Sequence, residues 1–374
     1  MRIDLRVAIV INTSWNIYNY RQGLIKSLLD KGVEVIAIAP KDDFSQKLIE
    51  LGCDFVPLSM DNKGINPLKD ILLFFRFLFL YKKIQPDCIL HYTIKPNVYG
   101  SIAAGILRIP CISNVSGLGT VFIRQGIILS LVKHLYRFAF RFPKKVFFQN
   151  KDDQKLFKEL ELLNSYKSDV LPGSGINLSM YQSLPFKNTN PFTFLLISRL
   201  LVDKGIVEYA EASRLLKARG FDFQSVLVGF FDRTSKYNIS NADIEGWEKQ
   251  GYIVFKGESQ NIISEIEKAD CIVLPSYREG TPRSLLEAMA LGKPIITTNV
   301  PGCKDVIEDG SNGFICEAKN VKSLANAMER MLELDSDALQ DMGQKGRDLV
   351  ENRFDERIVV EKYLMEIFTK FASE

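Results

Sequence analysis

Histidine is almost missing from this 374-residue chain: His91 and His134 are the only two. That scarcity excludes a histidine-based triad and a multi-histidine metal site. The six cysteines (53, 88, 111, 271, 303 and 316) are scattered without metal-type spacing. They read as small buried apolar residues in a reducing cytoplasm. No secretory signal is evident, because the apolar run at 7–11 is too short for an h-region and reads as a first strand. The longest apolar stretch, Ile71 to Tyr81, contains Arg76 and falls short of the roughly 20 residues needed to span a bilayer. No G-x-G-x-x-G follows the first strand of either predicted domain, which argues against a dinucleotide-dependent oxidoreductase. Short-period repeats and low-complexity tracts are also lacking.

Negative charge is missing locally. From Cys88 to Lys151 there is no carboxylate, against nine Lys or Arg. Residues 1–187 carry 25 Lys and Arg against 15 Asp and Glu, whereas the remainder carries 23 against 30, so a net charge of +3 conceals a basic first half and an acidic second half. Within the carboxylate-free stretch, cations alternate with aromatics from Val132 to Lys145. On a helix, Lys133, Arg137 and Arg141 would form one basic stripe, continued by Lys144 and Lys145. Basic, aromatic, amphipathic helices bind anionic leaflets at roughly 1 kcal/mol per cation. The alternative is a core helix with a solvated basic face. Nucleic acid is the weaker partner, since the second half is acidic and no recognition motif is present.

The length favours two domains, and the hydrophobic fraction of 46% suffices for two cores. Strand-like and helix-like segments alternate through the first half: strands near 7–11, 34–39, 55–58, 88–92, 111–114 and 146–149, with helices at 20–30, 66–83 and 98–107 and the basic helix between them. A second series begins at Phe192, and helices close the chain from Val321. Alternating βα units imply parallel sheets covered on both faces. The polar, proline-bounded stretch 185–191 is the predicted linker. The predicted domains are 1–187, 188–354 and a final helix at 355–374.

The densest chemistry lies in Glu279-Gly280-Thr281-Pro282-Arg283-Ser284-Leu285-Leu286-Glu287. A buried strand precedes it at 271–274, a Gly-Lys-Pro stop follows at 292–294, and Ile295–Thr298 reads as the next strand. Pro282 suits the first helical position, where a missing N–H costs nothing, and Gly280 permits close backbone approach to a ligand. A helix N-terminus favours phosphate, and the two glutamates around it can accept hydroxyl hydrogen bonds. Such an anion site suits a nucleotide sugar; the alternative is an ordinary βαβ unit with solvated glutamates. Arg199 and Lys204 occupy another strand-to-helix loop, placed to stabilise charge on a diphosphate leaving group or simply to pair with Asp203 or Glu208. Asp335-Ser336-Asp337 matches a metal-site D-x-D but falls between helices, where an N-cap is the better reading.

These residues resemble the family 4 (group 1) retaining glycosyltransferases of the GT-B fold. The likeness covers most of the chain and centres on SRLLVDKG and EGTPRSLLEAMALGKPII, with Val254-Phe255-Lys256-Gly257 before a base pocket. Tyr92 to Gly100 and Asn114 to Gly119 resemble a bacterial subgroup that builds capsule, O-antigen and related glycans on lipid carriers. The resemblance implies two Rossmann-like domains facing a cleft, with the last helix crossing back to the first. Glu279 would contact the donor sugar, Glu287 the ribose, and Arg199 and Lys204 the pyrophosphate, capped by the backbone of Gly280 to Arg283. Lys256 and Gly257 would border the base. Asn16, Lys95 and Ser116 are the acceptor-side candidates. The chain departs from the family in having Asn12–Asn16 where relatives carry a Gly-Gly pair. It also lacks a histidine after the fourth strand, so none is assigned a catalytic role.

The sequence thus predicts a metal-independent enzyme, without cofactor, transferring a sugar from a UDP-linked donor to a polyprenyl diphosphate-linked acceptor. It would work in the cytoplasm, peripherally on the inner face of the cell membrane. A GT-B UDP-sugar epimerase and a non-catalytic nucleotide-sugar or lipid-binding protein are the rival readings.

Overall fold

The computed structural model describes residues 5–61, 66–118, 127–183, 190–232, 235 and 237–369. Thirteen described strands form two wholly parallel sheets. The first contains β1 (Arg6–Val10), β2 (Glu34–Ala39), β3 (Asp54–Pro57), β4 (Cys88–Tyr92), β5 (Cys111–Val115), β6 (Lys145–Phe148) and β7 (Ser168–Val170), in the order β3-β2-β1-β4-β5-β6-β7. The second contains β8 (Phe192–Ile197), β9 (Phe223–Val228), β10 (Val254–Phe255), β11 (Cys271–Leu274), β12 (Ile295–Thr298) and β13 (Gly313–Cys316), in the order β10-β9-β8-β11-β12-β13. The central strands are continuous apolar runs because helices cover both faces. Val7 and Ile9 of β1 pack with Leu24 and Leu28 of helix Ser14–Asp30. Ala8 and Val10 point the other way, towards Phe77 and Tyr81 of helix Pro67–Ile84.

In both sheets the strand order reverses beside the first strand, between β1 and β4 and between β8 and β11. The carboxyl ends flanking such a reversal are where doubly wound sheets bind ligands, because the following loops part there.

The chain divides into two compact units, Met1–Gly175 with Glu356–Glu374, and Ile176–Asp355. The division precedes the predicted 187/188 junction, which lies outside the described residues; of the predicted linker only Asn190 and Pro191 are described. The final helix, Glu356–Phe368, belongs to the first unit. Its Tyr363 is buried, stacks edge-on against Phe147 and accepts a 2.8 Å hydrogen bond from Asn114 Nδ2. All six cysteines are buried and free.

Candidate functional site

The loops after β8 and β11 touch through Gly205. Its φ of 73° is left-handed, and a Cβ there would lie 2.1 Å from the Pro275 carbonyl oxygen, so glycine is required on both counts. Two further bonds stitch the loops together: Tyr277 N and Ser276 Oγ both donate to the Asp203 carbonyl, at 2.9 and 3.1 Å. This fixes Lys204 opposite Glu279. Lys204 Nζ donates to Glu279 Oε1 at 2.5 Å, and the two side chains are only 14% and 16% exposed.

Glu279 is held from its other side by the turn after β12. Its N–H donates to the Pro301 carbonyl at 3.1 Å, and Gly302, at φ 83°, passes so near that a Cβ would meet the Glu279 carbonyl oxygen at 2.4 Å. Beneath, Thr298 Oγ1 donates to the Ser276 carbonyl at 2.5 Å. Burial, reinforced by the Glu279 charge, pushes the nearby Cys303 thiol up to about 12.

The helix that follows spans Arg283–Ala290. Pro282 is its N-cap, at φ −73° and ψ 108°, and makes no side-chain cap bond; the predicted first helical position is corrected to the residue before it. Its extended ψ keeps Pro282 just outside the helix, so the first helical residue is Arg283. One turn on, Glu287 Oε1 accepts from Arg283 Nε and from Tyr181 Oη, each at 2.9 Å. Burial first, and then the Glu287 carboxylate, raise the Tyr181 phenol above its ordinary value. Nothing in the sequence marks Tyr181, which precedes β8 and shares no motif with Glu287.

Arg199 lies in the Lys204 loop, but its guanidinium turns to Asp232 after β9, with Nη1 donating to Oδ2 at 3.0 Å while the side chain stays 44% exposed. Gly257 reaches this edge through its backbone. Its carbonyl accepts from Gly229 N at 2.8 Å, and Gly229 lies against Ser198, whose carbonyl oxygen would be 1.9 Å from an added Cβ. Lys256 does not join them: its ammonium pairs with Glu265 at 3.1 Å and lines a separate hollow with Thr193 and Gln224.

In the first unit, Asp42 takes the helix N-terminus after β1. Its Oδ2 accepts from Ser14 N at 3.0 Å and Trp15 N at 3.2 Å, and Thr13 Oγ1 accepts from Asn16 N. A carboxylate already placed on those donors opposes a phosphate there. Lys95 is neutralised by Asp70 at 2.9 Å, both nearly buried, and Ser116 Oγ donates to Asn114 Oδ1 at 3.0 Å. His91 is buried between Tyr81 Oη (2.9 Å) and Ser101 Oγ (3.2 Å), and burial lowers it to about 3, so it stays neutral.

The predicted basic stripe is a correction. The helix covers Ile127–Ala139 and ends before Arg141, so it carries Lys133 and Arg137 but not the third cation of the stripe. Arg137 donates to the Leu160 and Glu161 carbonyls, Lys144 donates to the Glu366 carbonyl, and Lys145 pairs with the Glu366 carboxylate at 3.1 Å. Counter-charge missing from the local sequence comes from the final helix. Asp335 caps helix Ser336–Arg353, accepting from Ala338 N at 2.8 Å. Among the described residues no three His, Cys, Asp or Glu come together as metal ligands.

Known proteins place these features. The family model for Glycosyl transferases group 1 matches residues 183–349, and that for Glycosyl transferase 4-like matches residues 6–150. The chain is 31% identical, over 96% of its length and 97% of the relative's, to the N,N'-diacetylbacillosaminyl-diphospho-undecaprenol alpha-1,3-N-acetylgalactosaminyltransferase of Campylobacter jejuni. It is 26% identical, over 80% of its length and 79% of the relative's, to the UDP-Gal:alpha-D-GlcNAc-diphosphoundecaprenol alpha-1,3-galactosyltransferase of Escherichia coli. Among solved structures it shares its fold with Anabaena Alr3699/HepE in complex with UDP, at TM-score 0.78 and 18% identity over 98% of this chain and all of that one.

Proposed function

Because the chain belongs to the group 1 (family 4) glycosyltransferases, with their GT-B fold, we propose that it moves a sugar from a UDP-sugar to a lipid-linked diphosphate acceptor, with retention of configuration. The Lys204–Glu279 pair at the β8/β11 reversal carries the reading. It sets a cation and a hydroxyl acceptor together where a doubly wound sheet binds ligand. In this reading Lys204 and Arg199 neutralise the diphosphate beside the N-terminus of helix Arg283–Ala290, a role that needs no metal or cofactor. Glu279 orients the sugar hydroxyls, and Glu287, steadied by Arg283 and Tyr181, takes the ribose. Gly257 borders the base through its backbone, while Lys256 serves the fold.

The acceptor hydroxyl attacks the anomeric carbon from the face the diphosphate leaves. The carbon–oxygen bond to phosphate breaks as the new glycosidic bond forms, and the acceptor's proton passes to the departing phosphate. The donor's leaving group is therefore the base. Support for the acceptor class comes from the names of the two relatives, both of which specify undecaprenol-linked diphosphates. Such an acceptor places the reaction at the inner face of the cell membrane, in surface polysaccharide or glycan synthesis; no described helix is long and apolar enough to cross that membrane.

Nucleotide release measured across UDP-, GDP- and ADP-hexoses and N-acetylhexosamines, with membrane extract as acceptor source, tests this. UDP released with product on the lipid is the predicted result. Conversion of the donor to an isomeric UDP-sugar would establish an epimerase, and binding without turnover a non-catalytic protein.

A further inference from the structure

Helix Pro67–Ile84 buries its one carboxylate and exposes an apolar stripe. At 3.6 residues per turn, Leu68, Leu72, Phe75 and Phe79 align in a single stripe, with Ile71 beside it. All five are exposed, Leu68 to 79% and Phe79 to 68%, and the Phe75 and Phe79 rings stack at 6.4 Å. The buried face (Leu73, Phe77, Tyr81) already fills the core against β1 and β2. Folding therefore does not need the stripe.

The charges are sorted in the same way. Asp70, the helix's sole carboxylate, lies on the inward face, where Lys95 and Tyr99 Oη hold it at 2.9 and 3.1 Å. Lys69, Arg76 and Lys83 flank one side of the stripe and Lys82 the other. Lys69 reaches the exposed Asp61, and Arg76 Nη1 donates to the Ser59 carbonyl at 3.0 Å, which positions its charge without cancelling it. The outward face of the helix is thus aromatic and aliphatic, edged by cations.

We propose that this helix docks the enzyme onto an anionic lipid bilayer, lying in the interface with Leu68, Leu72, Phe75 and Phe79 among the acyl chains and Arg76, Lys82 and Lys83 at the headgroup phosphates. Charge complementarity selects this occupant: an apolar stripe edged by cations matches an interface whose interior is hydrocarbon and whose rim is anionic. The inference rests on the lipid-linked acceptor proposed above and replaces the predicted basic stripe as the membrane-facing element.

Flotation of the full chain with vesicles of equimolar phosphatidylglycerol and phosphatidylethanolamine, against phosphatidylcholine alone, tests it. Wild type floats with the anionic vesicles. The Phe75→Ser/Phe79→Ser variant loses roughly tenfold or more in partitioning, while keeping its thermal melt and its transfer to a water-soluble, short-chain diphosphate acceptor. Arg76→Gln/Lys82→Gln/Lys83→Gln, in which the apolar stripe is intact, weakens binding to anionic vesicles and flattens its salt dependence. Undiminished flotation of both variants overturns the proposal. So does a wild type that ignores vesicles but sediments as a dimer that Phe75→Ser/Phe79→Ser dissociates, which would make the stripe a self-association face. Flotation without transfer to any acceptor would count against the proposed reaction and leave the docking face standing.

Discussion

Lys204 and Glu279 lie 75 residues apart in sequence, yet Nζ and Oε1 meet at 2.5 Å between two loops that glycines press together. Neither side chain is freely solvated, so each sets the other's position. Replacing either should lower kcat/KM by about 100-fold or more, the scale for losing one preorganised charge at a reacting diphosphate. Lys204→Ala/Glu279→Ala should cost clearly less than the product of the single losses, because the two act as one unit. Steady-state kinetics on the four proteins measure this, and strict additivity would show that the two work independently.

Tyr181 acts one step away, through Glu287. Tyr181→Phe removes a single 2.9 Å hydrogen bond to that carboxylate, worth about 1 kcal/mol. UDP affinity should fall roughly fivefold with kcat unchanged. Calorimetric titration with UDP separates this from a change in turnover.

Gly302 faces the Glu279 and Gly280 carbonyl oxygens, which an added Cβ would meet at 2.4 and 2.6 Å, at a φ of 83°. Backbone cannot yield as a side-chain tip can. Gly302→Ala should therefore destabilise the second unit by about 2 kcal/mol or more and shift the Glu279 loop, so that activity falls even where the protein remains folded. Urea denaturation with parallel assays checks both effects.

His91 gives the first unit a pH dependence. Burial holds it near 3 in the fold, against about 6.5 in the unfolded chain. The unfolded state therefore binds the extra proton as pH falls below about 6.5, and stability drops by up to about 1.4 kcal/mol per pH unit between there and the folded value. Above that range the contribution is complete. His91→Gln should lose this slope, seen by comparing urea midpoints at several pH values between neutrality and mild acidity.

Periodicity exposed the two parallel sheets, since alternating βα units leave few other architectures. That Glu279 and the Arg199–Lys204 stretch lie in strand-to-helix loops was legible, because an apolar strand run, a turn with glycine and a helical pattern follow one another there. Partnerships were not legible. Local sequence shows no partner for Lys144 or Lys145, yet a helix more than two hundred residues on supplies the Glu366 carbonyl to the first and its carboxylate to the second. Lys256 was read by its place in a motif, but its side chain turns to Glu265. At Asn12–Asn16 the sequence shows only that a Gly-Gly pair is missing, and the fold alone reveals Asp42 on the N–H groups of Ser14 and Trp15. Ile71–Tyr81 reads as part of a helix too short to span a bilayer, but one-dimensional hydropathy does not say which side of that helix the core will take.

The central claim is a nucleoside diphosphate site built from side chains of the second unit. Titration of UDP in the presence of a chelator, into wild type and Arg199→Ala/Lys204→Ala, tests it most directly. The account predicts binding to wild type without added metal and a loss of about tenfold or more in the variant. Equal affinity in both proteins, or binding only after a divalent ion is restored, would contradict it.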